Sequence, residues 1–245
     1  IAGRHDTPMK LAVAKYDLFS DQIGDNGNIA GAAFGTTAGF NLRAPNVIAY
    51  LSPNLAGFNA TLAYVTDHNL VTSTQLQDDR DNNDAFSVSA GYAFKKLFNV
   101  TAAYERHNLK FNAPSTLRTK EDAWMIGAGL NIAGFTINGL YQQMKSFDKV
   151  NNETNVGGLG LAYTFGKKHT IKGQYYNADM QGQADNRDMF AIGYDFDMSK
   201  QTTLYAAYAY GTAGQALWAD GHGVSTKVNG NVDSSAFSLG MKYKF

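Results

Sequence analysis

The sequence predicts an all-β fold: an antiparallel transmembrane β-barrel with hydrocarbon against its outer wall and water against its inner one. Three observations carry that reading. The first is a two-residue period. Phe237, Leu239, Met241, Tyr243 and Phe245 alternate with Ser238, Gly240, Lys242 and Lys244, so one face is apolar and the other small or charged. Similar segments of roughly ten residues recur back along the chain, as barrel strands do. The second is the connections, which alternate between long polar stretches and tight turns. The third is composition: 25 Gly, 14 Tyr and 15 Phe against 4 Pro suit many strands with close backbone contact and aromatic girdles. Mean hydropathy is −0.30, and no run approaches the roughly eighteen apolar residues of a spanning helix. A barrel strand escapes that test because only alternate residues need be apolar.

Residues 4–41 are rich in Gly, Asp and Asn and irregular in pattern; a loop this long is often functional. The strands follow, divided by turn signals. Residues 46–51 end at Ser52-Pro53-Asn54, and 58–65 rise to a polar stretch at 66–84. Residues 85–94 descend to Lys95-Lys96, 99–107 rise, and 108–122 form a loop. Residues 123–132 descend to Ala133-Gly134, 135–145 rise, and 146–155 are polar. Residues 156–165 descend to Gly166-Lys167-Lys168, and 170–178 rise to a polar stretch at 179–188. Residues 189–198 descend to Ser199-Lys200-Gln201, 202–210 rise, 211–234 form a long loop, and 235–245 close the chain. That makes eleven full strands and a stub at residues 1–3. Long loops are assigned to the cell exterior and short turns to the periplasm.

The outward faces agree. Leu159, Leu161, Tyr163 and Phe165 alternate with Gly158, Gly160, Ala162 and Thr164. Phe86 to Phe94, Trp124 to Ile132 and Phe190 to Met198 alternate likewise. Tyr92, Phe94, Tyr163, Phe165, Tyr243 and Phe245 fall near the short-turn end, where an interfacial aromatic belt belongs. Arg106 breaks the pattern, falling in the outward register unless a bulge intervenes. The competing fold is a soluble all-β protein with one wet face, which has no reason to separate long and short connections so regularly.

Other chemistry is thin. Cysteine is absent, so no disulfide or thiolate metal site exists. Lys and Arg number 21 against 21 Asp and Glu, and a neutral chain does not suggest nucleic acid. His5, His68, His107, His169 and His222 are scattered without ligand spacing, so no metal or cofactor is expected. Asp78, Asp79, Asp81 and Asp84 lack the Gly and distal Glu of a calcium loop and read as a solvated loop. Gly127, Gly129, Gly157 and Gly158 lie within strands and read as packing glycines rather than a phosphate cradle. Enzymatic function would need a nucleophile beside a base; His107 with Ser115 or Ser146 is the only pairing on offer.

The run Gly3-Arg4-His5-Asp6-Thr7-Pro8-Met9-Lys10 and the strand Arg43-Ala44-Pro45-Asn46-Val47-Ile48-Ala49-Tyr50 with Ser52-Pro53 resemble the β-proteobacterial branch of the Gram-negative general porins. The terminal Gly240-Met241-Lys242-Tyr243-Lys244-Phe245 resembles that family's last strand. The resemblance implies a homotrimer of barrels of about sixteen strands in the outer membrane, each with an inward-folded constriction loop. It places residues 1–245 in one barrel domain, with 4–41 as constriction loop and 46–245 as strands. The chain is expected to lack about five strands at its amino end, and the stretch alone is not expected to form a stable pore. It also implies contact with outer-membrane lipid and lipopolysaccharide, and recognition of the final strand by the barrel-assembly machinery through Tyr243 and Phe245.

The expected function is passive diffusion of small hydrophilic solutes and ions through a water-filled channel. The alternatives are an outer-membrane barrel enzyme and an adhesin or structural barrel with a plugged lumen. Charges at a narrowing with low-dielectric walls set which ions pass. The candidate constriction residues are the loop acids Asp17, Asp21 and Asp25 and the bases Arg4, Lys10, Lys15, Arg43 and Lys172. Gln174, Tyr176, Lys242 and Lys244 are also expected to face water. Acid on the loop opposite base on the wall would set a transverse field. Any one of these charges could instead sit at the rim or in a loop ion pair. Relatives in this branch often favour anions, so the lean is toward anion selectivity.

Overall fold

A computed structural model describes the chain except residues 33–38, 67–82, 111–117, 148–152, 184, 218–231 and 245. The strands are β1 (Ala2–Asp6), β2 (Arg43–Leu51), β3 (Phe58–Val65), β4 (Asp84–Phe94), β5 (Phe98–Lys110) and β6 (Arg118–Ile132). They continue as β7 (Phe135–Ser146), β8 (Glu153–Phe165), β9 (His169–Met180), β10 (Arg187–Asp197), β11 (Thr202–Gly211) and β12 (Ser234–Tyr243). All twelve form one antiparallel sheet in strict chain order, with β1 and β12 at its edges. Among the described residues there is no helix long and apolar enough to cross a membrane.

The period-two pattern is realised strand by strand. On β8, Leu159 and Leu161 stand exposed while Gly160 and Ala162 are buried. On β10, Phe190, Ile192 and Tyr194 are exposed while Met189, Ala191 and Gly193 are buried. An exposed Leu159 at 68% and Leu239 at 71% belong against hydrocarbon, not water.

Two polar or aromatic girdles bound this band. At the long-loop end, Trp124 Nε1 donates to Gln143 Oε1 (3.0 Å), Tyr141 Oη to Asn155 Oδ1 (2.8 Å) and Tyr210 Oη to Asp233 Oδ2 (2.6 Å). At the short-turn end, Phe58 lies 4.4 Å from Tyr92 and Phe135 4.5 Å from Tyr163, centroid to centroid. Asn155 and Phe165 mark the two girdles on β8. Their separation is about 33 Å along the strand, or about 25 Å along the membrane normal at a tilt of about 40°.

The strands outrun the apolar pattern at the long-loop end. β5 continues to Lys110 and β6 begins at Arg118, with their ladder unbroken from Phe98↔Leu130 to Lys110↔Arg118. Above the hydrocarbon both faces meet polar surroundings, so the alternation fades while the ladder persists. Arg106 needs no bulge. It faces outward, above the apolar band, and pairs bidentately with Asp122 on β6, Nε to Oδ1 at 2.7 Å and Nη2 to Oδ2 at 2.6 Å. β1 reaches Asp6, so Arg4 belongs to a strand rather than to the loop.

The short turns are tight. Between β6 and β7, Ala133 (φ 52°) and Gly134 (φ 85°) both take the left-handed region, the primed turn that matches strand twist. The opposite, inward face carries the larger buried cluster among the described residues, and nine of its 22 members come from residues 9–40.

Candidate functional site

The described residues of the segment from Thr7 to Leu42, 7–32 and 39–42, lie on the inward face, and their sequence explains how they are held. Thr7 caps a short helix, α1 (Pro8–Ala14), accepting from Lys10 N at 3.3 Å, and Pro8 occupies the first turn where its missing N–H costs nothing. Met9, Ala12, Val13 and Tyr16 recur at helical spacing and are buried against the sheet. Met9 N donates to Ser87 Oγ on β4 (3.1 Å), and Lys15 Nζ to Thr101 Oγ1 on β5 (2.9 Å).

The chain then crosses the inward face toward β12. The Tyr16 ring occupies the notch at Gly127, where a Cβ would lie 2.2 Å from a ring atom. Leu18 N donates to Gln174 Oε1 on β9 (3.0 Å), and the Ser20 carbonyl accepts from Lys242 Nζ on β12. The return path is equally pinned. Gly24 N donates to Leu217 O (2.7 Å) and Gly24 packs on Ala191, close enough that no side chain fits. Asn26 Nδ2 donates to Tyr176 Oη (3.1 Å), and Gly31 N to Gln142 Oε1 (2.7 Å). Thr7 N to Leu42 O (3.3 Å) closes the base. The segment therefore spans the interior from β4 to β12 and back.

The predicted charges divide into two groups. Lys10 Nζ pairs with Asp6 Oδ1 at 3.3 Å, and Arg43 stands opposite Asp6 across the β1–β2 ladder. Arg4 is exposed on β1 near a ladder irregularity. These three, near the segment's root, are set apart from the acids. Asp17, Asp21 and Asp25 share the far lobe, where Asp21 N donates to Asp25 Oδ2 (3.0 Å) and Gly27 N to Asp25 Oδ1 (2.7 Å). That lobe lies against the wall bearing Lys172 and Lys242.

Lys172 differs from expectation. Its side chain is 4% exposed, and Nζ donates to Gln22 Oε1 and Asp195 Oδ2, both at 2.8 Å, with the Phe19 ring centroid 4.7 Å away. Phe19 covers it, so it faces the segment rather than open water. Gln174 and Tyr176 are likewise buried beneath the segment. Tyr243 faces outward on β12; Phe245 lies outside the described residues.

Asp17 accepts from Phe19 N (3.0 Å) and Gln174 Nε2 (2.8 Å). Burial, reinforced by the nearby Asp25 carboxylate, outweighs those hydrogen bonds and pushes its pKa up to about 7. Burial raises Asp25 as well, against the hydrogen bonds it accepts. The far lobe thus holds two carboxyl groups, Asp17 and Asp25, whose neutral forms burial favours.

Tyr16, Phe19, Asn26, Phe40 and Gln142 are anchors that the charge-centred reading passed over. The signal was present in Met9, Ala12, Val13, Tyr16 and Phe19, apolar residues three and four apart inside an otherwise polar loop. Phe40 stacks on His107 at 4.4 Å, and His107 Nε2 lies 2.8 Å from Glu105 Oε1. His107 and Ser146 flank Glu121 in the ladders, and all three are fully buried, out of reach of a substrate. Ser115, His68, His222, Asp78, Asp79 and Asp81 lie outside the described residues; Asp84 accepts from Asn108 Nδ2 (2.6 Å). Among the described residues no group of acids and histidines could hold a metal ion.

Comparison with known proteins agrees with this architecture. Residues 1–216 match the Gram-negative porin family. The chain is 29% identical over 219 residues to outer membrane porin protein 32 of Delftia acidovorans, covering 85% of this chain and 58% of that protein. The chain thus spans little more than half of that relative's length. Among solved structures, it is similar to an anion-selective porin from Comamonas acidovorans (TM-score 0.81, 24% identity, 100% of this chain and 73% of that one). It is also similar to the trimer form of OmpT, an outer membrane protein of Vibrio cholerae (TM-score 0.69, 15% identity, 99% and 75%). The outward apolar band, the two girdles and the interior segment are those of an outer-membrane barrel, and this chain belongs to the Gram-negative porin family.

Proposed function

We propose that the protein forms a water-filled channel for passive diffusion of small hydrophilic solutes and ions across the outer membrane, narrowed by the segment from Thr7 to Leu42. One observation carries this reading: the segment is tied by hydrogen bonds to inward side chains or the backbone from β4 (Ser87) to β12 (Lys242), crossing the interior rather than projecting from it. The acids at 17, 21 and 25 lie on the loop, with Lys172 and Lys242 on the wall opposite and Lys15 further along. Protonation of Asp17 below about pH 7, with the upward shift of Asp25 beside it, lowers the acid charge against these bases, which favours anions. The solved relative from Comamonas acidovorans bears the description anion-selective. Arg4, Lys10 and Arg43 extend the positive field at the segment's root.

A homotrimer is the assembly proposed, by analogy with the trimeric Vibrio cholerae protein. Lipopolysaccharide and the barrel-assembly machinery, the latter through Tyr243 and Phe245, are the other proposed partners. The test is planar-bilayer recording, under a salt gradient, of a closed barrel that carries these residues. Discrete conductance steps with an anion-favouring reversal potential at pH 6 are expected. Absence of steps from correctly folded protein would point instead to a plugged structural barrel.

A further inference from the structure

On the outward face near the short turns, three alanines stand side by side in the ladder, Ala60↔Ala90 and Ala90↔Ala102. Larger side chains rise on either side, Leu62, Val88 and Tyr104 above and Phe58, Tyr92 and Val100 below. The result is an apolar hollow of about 440 Å³, within the roughly 300–1,000 Å³ range of ligand clefts. About 10 Å further along β4, the next turn carries Lys95 and Lys96, both exposed. Lys95 Nζ lies 5.3 Å from the Phe94 ring centroid. Phe94 is an outward residue, so this ammonium sits on the lipid side of the wall.

No carboxylate competes for these cations within the turns. The connections 52–57, 95–97, 133–134, 166–168 and 198–201, all described, contain none. Among the described side chains, the acids nearest that end, Asp195 and Asp197, face inward to Lys172 and Thr203. The same pairing recurs: a second apolar hollow of about 410 Å³, lined by His169, Tyr194, Phe196 and Leu204, neighbours the turns that carry Lys167, Lys168 and Lys200.

We propose that β3–β5 with the Lys95–Lys96 turn form a binding site for an anionic phospholipid of the inner leaflet, acyl chain in the alanine hollow and phosphate on the two ammonium groups. Lipopolysaccharide is the wrong source, because it meets the opposite girdle, where Asp122, Glu153, Asp188 and Asp233 sit. The inference rests on the outward face lying in lipid and is independent of whether the interior conducts. The test is native mass spectrometry of the full protein from mild detergent with phosphatidylglycerol or phosphatidylethanolamine of matched chains. Preferential retention of phosphatidylglycerol is expected. K95Q/K96Q should weaken it on the order of 30-fold, at about 1 kcal/mol per lysine, and weaken phosphatidylethanolamine, whose own ammonium offsets its phosphate, much less. Ala90→Phe should reduce both, whereas Lys120→Gln at the far rim should alter neither. Equal retention of the two lipids, or phosphatidylglycerol retention indifferent to K95Q/K96Q, would overturn the proposal. So would lysine-dependent retention of a periplasmic protein in place of lipid.

Discussion

Asp17 is the most informative residue to perturb, because its charge changes inside the physiological range. With a pKa near 7, it is about one-tenth ionised at pH 6 and about nine-tenths at pH 8. Raising the pH therefore adds nearly one negative charge to the far lobe of the segment. At about 8 Å, a unit charge acts on a passing ion by about 0.5 kcal/mol in bulk water and about 2 kcal/mol at an effective dielectric of about 20. Those limits correspond to roughly 2- and 30-fold in local ion concentration. Reversal potentials in a salt gradient should shift toward cations between pH 6 and 8, and Asp17→Asn should flatten the curve. The sign for stability is the same. The folded state binds more protons than the unfolded between about pH 4 and 7, so stability falls as pH rises through that window, by at most about 4 kcal/mol. Asp17→Asn protein that keeps the full pH shift would refute the assignment of this charge to the conduction path.

Other expectations concern how the segment is held. Gly158→Ala places a Cβ 2.0 Å from the Tyr176 ring, and unfolding should show a loss of about 1–3 kcal/mol. Tyr176→Phe removes the acceptor of Asn26 Nδ2; about 1–3 kcal/mol should be lost, with faster proteolysis of residues 7–42. Phe40→Ala vacates the fully buried stack on His107 and should cost about 3–5 kcal/mol. Lys172→Gln leaves Asp195 without its cation, and anion preference should fall; an unchanged reversal potential would count against a transverse field.

Much of the wall was legible because lipid imposes a strict rule: every second side chain from Leu159 to Phe165 must be apolar, whatever else the sequence does. The rule lapses above the girdle, which is why Arg118 to Asp122 and Glu153 to Asn155 read as loop although the ladder runs through them. Arg106 looked like a fault in the pattern because its partner, Asp122, was assigned to a loop. Inside, charge was a poor guide. Lys172 was legible as inward but not as covered, since Phe19, which covers it, lies some 150 residues away in sequence. The glycines at 127 and 158 read correctly as packing positions. The ring over Gly127, that of Tyr16, is set by long-range docking that no local pattern encodes, whereas Tyr176 stands opposite Gly158 in the β8–β9 ladder.

The chain has no cysteine, which makes single-thiol labelling the most direct test that residues 7–42 narrow a conducting path. A thiol at exposed Asp21 (Asp21→Cys), treated with a charged, membrane-impermeant thiosulfonate during single-channel recording, should lower conductance stepwise. A thiol at lipid-facing Leu159 (Leu159→Cys) should stay unreactive. Full conductance after confirmed labelling at position 21, or rapid aqueous labelling at 159, would contradict the placement of the segment and the assignment of the two faces.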